Sequence, residues 1–240
     1  MILKVKRHFK IEQYTKFSLL LRYDAVASSF SFSFYFDPNN PEHKLLFQPG
    51  HYHQIDIEHN GELLLRGWIL GQAFGSQSTK VLSSVNGYSL SGVLEDCQIP
   101  LSLYPLQSDT KNLREIAQRL VSPFPFSMQI DGSVAAKMEQ VYDITTAKET
   151  DTMKGYLTSL ASQKDIILTH TNTGNLLFTK AKTRSTPIFH FEQGLESVIE
   201  MSLKFNAQKM HSDITVQKQA DIEGQQSKIL LCLLFIGQRL

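Results

Sequence analysis

Cysteine is scarce. Cys97 and Cys232 are the only two in 240 residues, far apart and without a CxxC spacing. That argues against a disulfide framework or a cysteine zinc site, and free thiols in a reducing cytoplasm are expected. An excess of one charge is missing too. The 24 basic residues are matched by 23 acidic ones, for a net charge of +1. A dedicated nucleic-acid binder would carry a basic excess on one face. The balance still suits a lumen through which DNA merely passes, where tight binding would be harmful. Long apolar runs are absent: the longest, Ile229 to Gly237, falls well short of the ~20 residues that cross a bilayer. The leading MILKVKRHFKIEQ is too polar for a secretory signal. A cytosolic product with no membrane partner is expected.

What is present is ordinary for a folded protein. The chain is 42% hydrophobic and 20% charged, which supports a sizeable core. Its length allows one large domain or two to three small ones. The patterning predicts an α+β protein, mainly β, in three parts.

Residues 1–105 read as an antiparallel β-barrel. Leu3 and Val5 alternate with lysines, and Phe30, Phe32, Phe34 and Phe36 alternate with serines and Tyr35. Period two puts the four phenylalanines on one face of a strand. The run from Asp37 to Pro41 and then Gln48-Pro49-Gly50 break the pattern. Tyr52 to Glu58 and Leu63 to Leu70 flank Asn60-Gly61, a strong hairpin signal. Val81 to Val85 and Tyr88 to Cys97 complete about six short strands, the count of a small barrel or sandwich.

Residues 106–185 read as a small α+β domain. Leu113, Ile116, Ala117, Leu120 and Val121 follow helical spacing, with Asp109 or Thr110 as N-cap and Pro123 and Pro125 as the stop. A strand pair, Phe126 to Ile130 and Val141 to Thr145, comes next. Thr150 then caps a second helix that carries Met153, Tyr156, Leu157, Leu160 and Ala161. Ile166 to Thr169 and Leu176 to Thr179 flank a turn at Asn172-Thr173-Gly174. Residues 186–240 read as the start of a second β-barrel. Ser197 to Phe205 alternates and His211 to Gln219 can pair with it, but about 50 residues cannot close a barrel alone.

Candidate chemistry is thin. His51 and His53 share strand parity with His59, but Asp56 and Glu58 have the opposite parity, which argues against a metal site. The phenylalanines from Phe30 to Phe36 could stack single-stranded nucleic acid, yet serines rather than lysines or arginines interleave them, so a barrel core is the better reading. Trp68 beside Gly67 could anchor an interface, with core packing favoured. Ser89, Ser91, Glu95 and Asp96 invite a nucleophile reading, but no GxSxG elbow is present. Asp131-Gly132 and Glu95-Asp96 lack the rest of a calcium loop. Carboxylates alone leave a glycosidase pair open. No catalytic, cofactor-binding or metal residue is assigned.

The order of HNGELLLRGWIL, then SVNGYSLSGVLEDC, then LREIAQRL resembles one family, the baseplate hub proteins of contractile-tailed phages (Mu-like tail proteins, the late control protein D type). The resemblance spans roughly residues 1 to 225. SSFSFSFYFDP is similar to its first barrel, NLREIAQRLVSPFPFSMQID to its middle region, and SVIEMSLKFNAQKMHSDITVQKQ to the strand pair opening its second barrel. It implies a non-enzymatic homotrimer with no cofactor, in which each subunit supplies two similar barrels to a pseudo-hexagonal ring. The ring would join the tail tube above to the spike below, contact other baseplate proteins, and pass DNA as cargo. Its implied place is the tail baseplate of the virion, after assembly in the host bacterial cytoplasm. The family continues past this point, and the apolar segment from Ile229 lacks the alternation of its second barrel, so a C-terminally truncated copy is expected. Two other readings stay open: a hub-like part of a type VI secretion or other phage-derived injection apparatus, and a peptidoglycan-acting enzyme with two close carboxylates in a pocket.

Overall fold

A computed structural model describes residues 1–5, 9–47, 49–77, 80–103 and 107–182, together with 185–187, 189–190, 192, 194–195, 202, 215–216 and 230–231. The fold is α+β and mainly β. The chain divides into two compact units, Met1–Thr183 and Arg184–Leu240.

The first unit opens with a seven-stranded antiparallel sheet. Its strands are β1 (Ile2–Val5), β2 (Phe9–Ile11), β3 (Lys16–Leu20), β4 (Ser29–Tyr35), β5 (Gln54–His59), β6 (Glu62–Gln77) and β7 (Lys80–Ser89), in the order β2-β1-β5-β6-β7-β4-β3. The two edges, β2 and β3, are neighbours in sequence. Laid flat, seven strands would separate them by ~29 Å. The connection from Ile11 to Lys16 reaches at most ~17 Å. The sheet therefore has to curl toward a barrel, with an open seam between β2 and β3.

Inside the curl lie Phe30, Phe32 and Phe34, as their alternation predicts, with Leu3, Val5, Ile55, Ile57, Leu65, Ile69 and Val85. Phe36 falls just past β4 and meets Phe74 edge-on at 5.4 Å. The predicted β5–β6 hairpin forms, and Asn60 and Gly61 take φ of 50° and 85°. The break after Asp37 also forms, but it leads into a helix the sequence reading lacked, α1 (Pro41–Leu46). Asn40 caps it through Glu42 N–H at 2.9 Å. At six residues it is too short to show a period. Its end drives Leu46 and Phe47 into the sheet core, with Phe47 4.8 Å from the Phe34 ring.

The expected break between Val85 and Tyr88 is a correction. β7 runs unbroken through Asn86-Gly87, because Gly87 serves close strand approach rather than a turn: a Cβ there would lie 1.8 Å from the Trp68 carbonyl oxygen. The expected strand from Tyr88 to Cys97 is also corrected. Past Ser89 the chain forms a 3-10 turn, Leu90–Gly92, and a short helix, α2 (Val93–Asp96). Gly92 sits under the Tyr88 ring, where a Cβ would meet ring carbon at 2.4 Å.

The rest of the unit comprises β8 (Gln107–Asn112), α3 (Leu113–Val121), β9 (Met128–Ile130), α4 (Ala135–Met138), β10 (Val141–Thr146), α5 (Met153–Gln163), β11 (Ile167–His170) and β12 (Leu176–Thr179). Both predicted helices bury the predicted residues: Leu113, Ile116, Ala117, Leu120 and Val121 on α3, and Met153, Tyr156, Leu157, Leu160 and Ala161 on α5. Their caps differ from the expectation. Asn112, not Asp109 or Thr110, caps α3 in a reciprocal capping box with Glu115, because β8 continues to Asn112. Thr152, not Thr150, caps α5 through Gly155 N–H. The strands at 126–130 and 141–145 do not pair with each other. β9 runs parallel to β12, and β10 is antiparallel to β8. The hairpin around Asn172-Thr173-Gly174 forms as β11–β12. The helical core also takes in Val26, Leu90, Leu94 and Ile99, contributed from the N-terminal side of residue 105.

In the second unit β13 (Thr215–Val216) pairs antiparallel with β14 (Leu230–Leu231). The expected strand Ser197 to Phe205, apart from Ser202, lies outside the described residues. So do Cys232, most of the apolar segment from Ile229, and the rest of His211 to Gln219.

Candidate functional site

Two surfaces and one buried joint stand out. The first surface is the outer face of β3, β4, β7 and β6. Strand register aligns Lys16, Ser33, Ser84 and Ala73 in one row and Ser18, Ser31, Asn86 and Gly71 in the next. The phenylalanines turn inward, so these two rows are small and polar, with Lys16 their one charge. Gly71 is confined there by its cross-strand neighbour, since a Cβ would meet the Asn86 side chain at 2.5 Å.

The second surface comprises the unpaired strand edges. Among the described strands β3 pairs only with β4, and the chain leaves it through Leu20, Leu21 and Tyr23, each at least half exposed. β6 outruns β5. Its register with β7 shifts by one at Leu70, which has no partner on β7 and is exposed. Beyond Gln72, β7 flanks β6 on one side and no described strand flanks it on the other. Exposed apolar side chains on open edges are the usual substrate for strand pairing with another chain.

The joint links the curled sheet to the helical core. The β3–β4 loop, Leu21–Ser28, enters that core with Val26, whose carbonyl accepts from Ser89 Oγ at 2.9 Å and Ser91 Oγ at 2.7 Å. Thr169 Oγ1 donates to the Ala25 carbonyl at 3.3 Å, and Tyr23 OH donates to the Lys180 carbonyl at 3.1 Å. His170 Nε2 lies 2.6 Å from Ser28 Oγ. Its Nδ1 faces the Thr171 carbonyl at 3.0 Å, which fixes the Nδ1–H tautomer and makes Nε2 the acceptor of the Ser28 hydroxyl proton. Burial pushes the His170 imidazole below its ordinary range, and the Thr171 carbonyl partly opposes that.

A serine hydroxyl donating to a histidine is the geometry of an activated nucleophile. Here the reading fails on access. Ser28 is 0% exposed, and its oxygen also accepts Arg22 N–H at 2.8 Å. A substrate carbonyl has no path to it. The pair brings together residues 142 apart, and no local motif marks either one.

The residues singled out in the sequence are placed elsewhere. His51 and His53 precede β5 with ring centres 5.5 Å apart, and His59 ends that strand. Asp56 is held by Arg66 at 2.7 and 2.9 Å, and Glu58 by Lys4 at 2.5 Å. Among the described residues no group of three or more His, Cys, Asp or Glu could hold a metal. Trp68 is half-buried and packs against the helical core, not inside the curl. Ser89 and Ser91 are buried donors to Val26. Glu95 pairs with Lys154 at 3.3 Å. Asp96 accepts from Tyr88 OH at 2.7 Å, and burial, aided by that bond, pushes the phenol well up. Asp131 accepts from the Ser133 side chain and from Ser133 N–H, the latter at 2.8 Å, and the two bonds lower its carboxyl.

A groove of about 760 Å³ between β10 and α5 is lined by residues that include Asp143 and Asp151. Asp143 is exposed, and Asp151 accepts Lys148 N–H at 2.9 Å. The two lack the desolvated setting that a glycosidase general acid needs. No helix among the described residues is long and apolar enough to cross a membrane.

No protein-family model matches the chain, and no curated protein matches it in sequence. Solved structures do match it in shape. The fold is shared with solved tail proteins, one of them from a prophage. One is the 43 kDa tail protein of prophage MuSo2 from Shewanella oneidensis, with a TM-score of 0.63 and 21% identity over 75% of this chain. Another is the tail protein from Neisseria meningitidis, with a TM-score of 0.71 and 16% identity over 89% of this chain. At such identities the likeness is one of fold. The chain spans 52% and 61% of the lengths of those two proteins.

Proposed function

We propose that this chain is a structural protein of a phage or prophage tail and acts there as a baseplate hub. Three copies form a ring that joins the tail tube to the central spike, contacts neighbouring baseplate proteins and lets DNA pass. The observation that carries this reading is the fold likeness to the Neisseria tail protein, a TM-score of 0.71 across 89% of the chain. The surfaces support it. Open strand edges on β3 and β6 offer backbone donors and acceptors to a neighbouring subunit, and repeated head-to-tail contacts close into a ring under cyclic symmetry. The small, polar serine rows suit a wall along which DNA slides without being held. The hub performs no catalysis. In this reading residues 1–105 and 186–240 belong to barrels of the ring, and 106–185 to a domain outside it.

Light scattering of the purified protein over a concentration series tests the proposal. A stable trimer is expected. A strict monomer at every concentration would overturn the ring, and firm retention of duplex DNA at physiological salt would overturn the sliding wall.

A further inference from the structure

The joint between sheet and helical core contains one group whose charge changes between pH 5 and 8, His170. In its neutral form the imidazole accepts the Ser28 hydroxyl proton at Nε2 and donates from Nδ1 to the Thr171 carbonyl. Ser28 Oγ in turn accepts Arg22 N–H, and the Ser28 backbone donates to Ser89 Oγ at 3.2 Å. One hydroxyl thus orients the loop and receives the hairpin. If His170 takes a proton, Nε2 becomes a donor. The Ser28 hydroxyl proton must then find another acceptor in a site with no access to water, and the nearby Val26 carbonyl is already bonded twice.

The charges on the surrounding elements are committed to other partners. Arg22 faces Asp24 at 3.5 Å on the loop itself. Glu95 of α2 pairs with Lys154, Asp96 with Tyr88, and Arg66 of β6 with Asp56. Lys180 gives its backbone carbonyl to Tyr23, and its charge acts on Asp131. Burial and the Thr171 carbonyl are what act on the imidazole.

We propose that the Ser28–His170 contact is a pH-sensitive latch: protonation of His170 loosens the seating of the β11–β12 hairpin on the β3–β4 loop. The neutral form is the one the fold prefers, so the latch is closed at neutral pH and above. It opens as pH falls below the ordinary histidine range near about 6.5.

The test is hydrogen exchange of the loop 21–28 in the full chain from pH 7.5 to 5, corrected for intrinsic exchange. In the wild type, protection should fall with a midpoint below about 6.5, roughly tenfold for each unit by which the midpoint is displaced. His170→Gln should remove the pH-dependent step while its circular dichroism stays native. Ser28→Ala should raise the midpoint, because the neutral imidazole loses its donor. A wild-type loop with constant protection would overturn the latch, as would the same step in His170→Gln. Should His170→Gln not fold, an unchanged midpoint in Ser28→Ala overturns it.

Discussion

The Asn172 carbonyl accepts the backbone N–H of Arg66 at 2.9 Å, although the two residues lie 106 positions apart. The reason is an unfilled place in the sheet. From Glu62 to Arg66, β6 has β5 on one side, but β7 ends opposite Gly67. The tip of the β11–β12 hairpin takes the vacated side. Asn172 supplies its carbonyl to Arg66 and its side-chain amide to the Leu63 carbonyl at 3.1 Å. A turn thus replaces a strand, and it binds the sheet to the helical core without the latch.

That turn depends on Gly174. Its φ is +83°, and a Cβ there would lie 2.7 Å from Leu90 Cγ. Both the left-handed backbone and the overlap penalise a side chain. Gly174→Ala should lower unfolding free energy by about 2–4 kcal/mol in urea titration. Gly132→Ala, with nothing within 4 Å, should change it by less than about 0.5 kcal/mol. Equal effects at the two positions would show that the turn does not seat on Leu90 as described.

Much of this architecture was legible in the sequence, and the limits have physical causes. Phe30, Phe32 and Phe34 could be placed inward because period two survives wherever one face is buried. The helical faces of α3 and α5 were legible for the same reason at period 3.6. Caps were not, because Asp109, Thr110 and Asn112 are all good candidates, and only the extent of β8 decides among them. Gly87 reads as a turn residue unless the Trp68 carbonyl is known to lie against it. The joint was invisible, since Ser28 and His170 meet only through tertiary packing, and neither stands in a motif.

The α3 boundary gives a prediction of opposite signs within three residues. Asn112 Oδ1 accepts Glu115 N–H at 2.9 Å, and Glu115 returns a bond to Asn112 N–H at 3.1 Å. Asn112→Ala should cost about 1 kcal/mol. Thr110 holds φ at 49°, a region that β-branched residues avoid. It is exposed, so glycine there forfeits little packing. Thr110→Gly should be neutral to stabilising, by up to about 1 kcal/mol, where glycine inside an ordinary strand would destabilise. Thermal unfolding of the two variants checks both signs, and a loss above about 1 kcal/mol in Thr110→Gly would contradict the left-handed assignment.

Alkaline pH probes the contact between β10 and α5. Tyr142 OH donates to the Leu160 carbonyl at 2.7 Å, and Lys164 Nζ lies 3.8 Å above the Tyr142 ring. Burial, helped by Tyr156, pushes the Tyr142 phenol up to about 12. In the unfolded chain a tyrosine ionises near about 10. Between those values the folded state keeps a proton that the unfolded state has lost, so stability is full below about 10 and falls as pH rises toward 12. Phenolate absorbance should therefore show Tyr142 as a component near 12, below the still later Tyr88, and Tyr142→Phe should remove that component while the Tyr88 one stays. The substitution also deletes the bond to Leu160, at a cost of about 1 kcal/mol at neutral pH, and flattens the alkaline decline. If Tyr142→Phe leaves the component near 12 unchanged, that component belongs to another tyrosine, which contradicts the burial of this ring against α5.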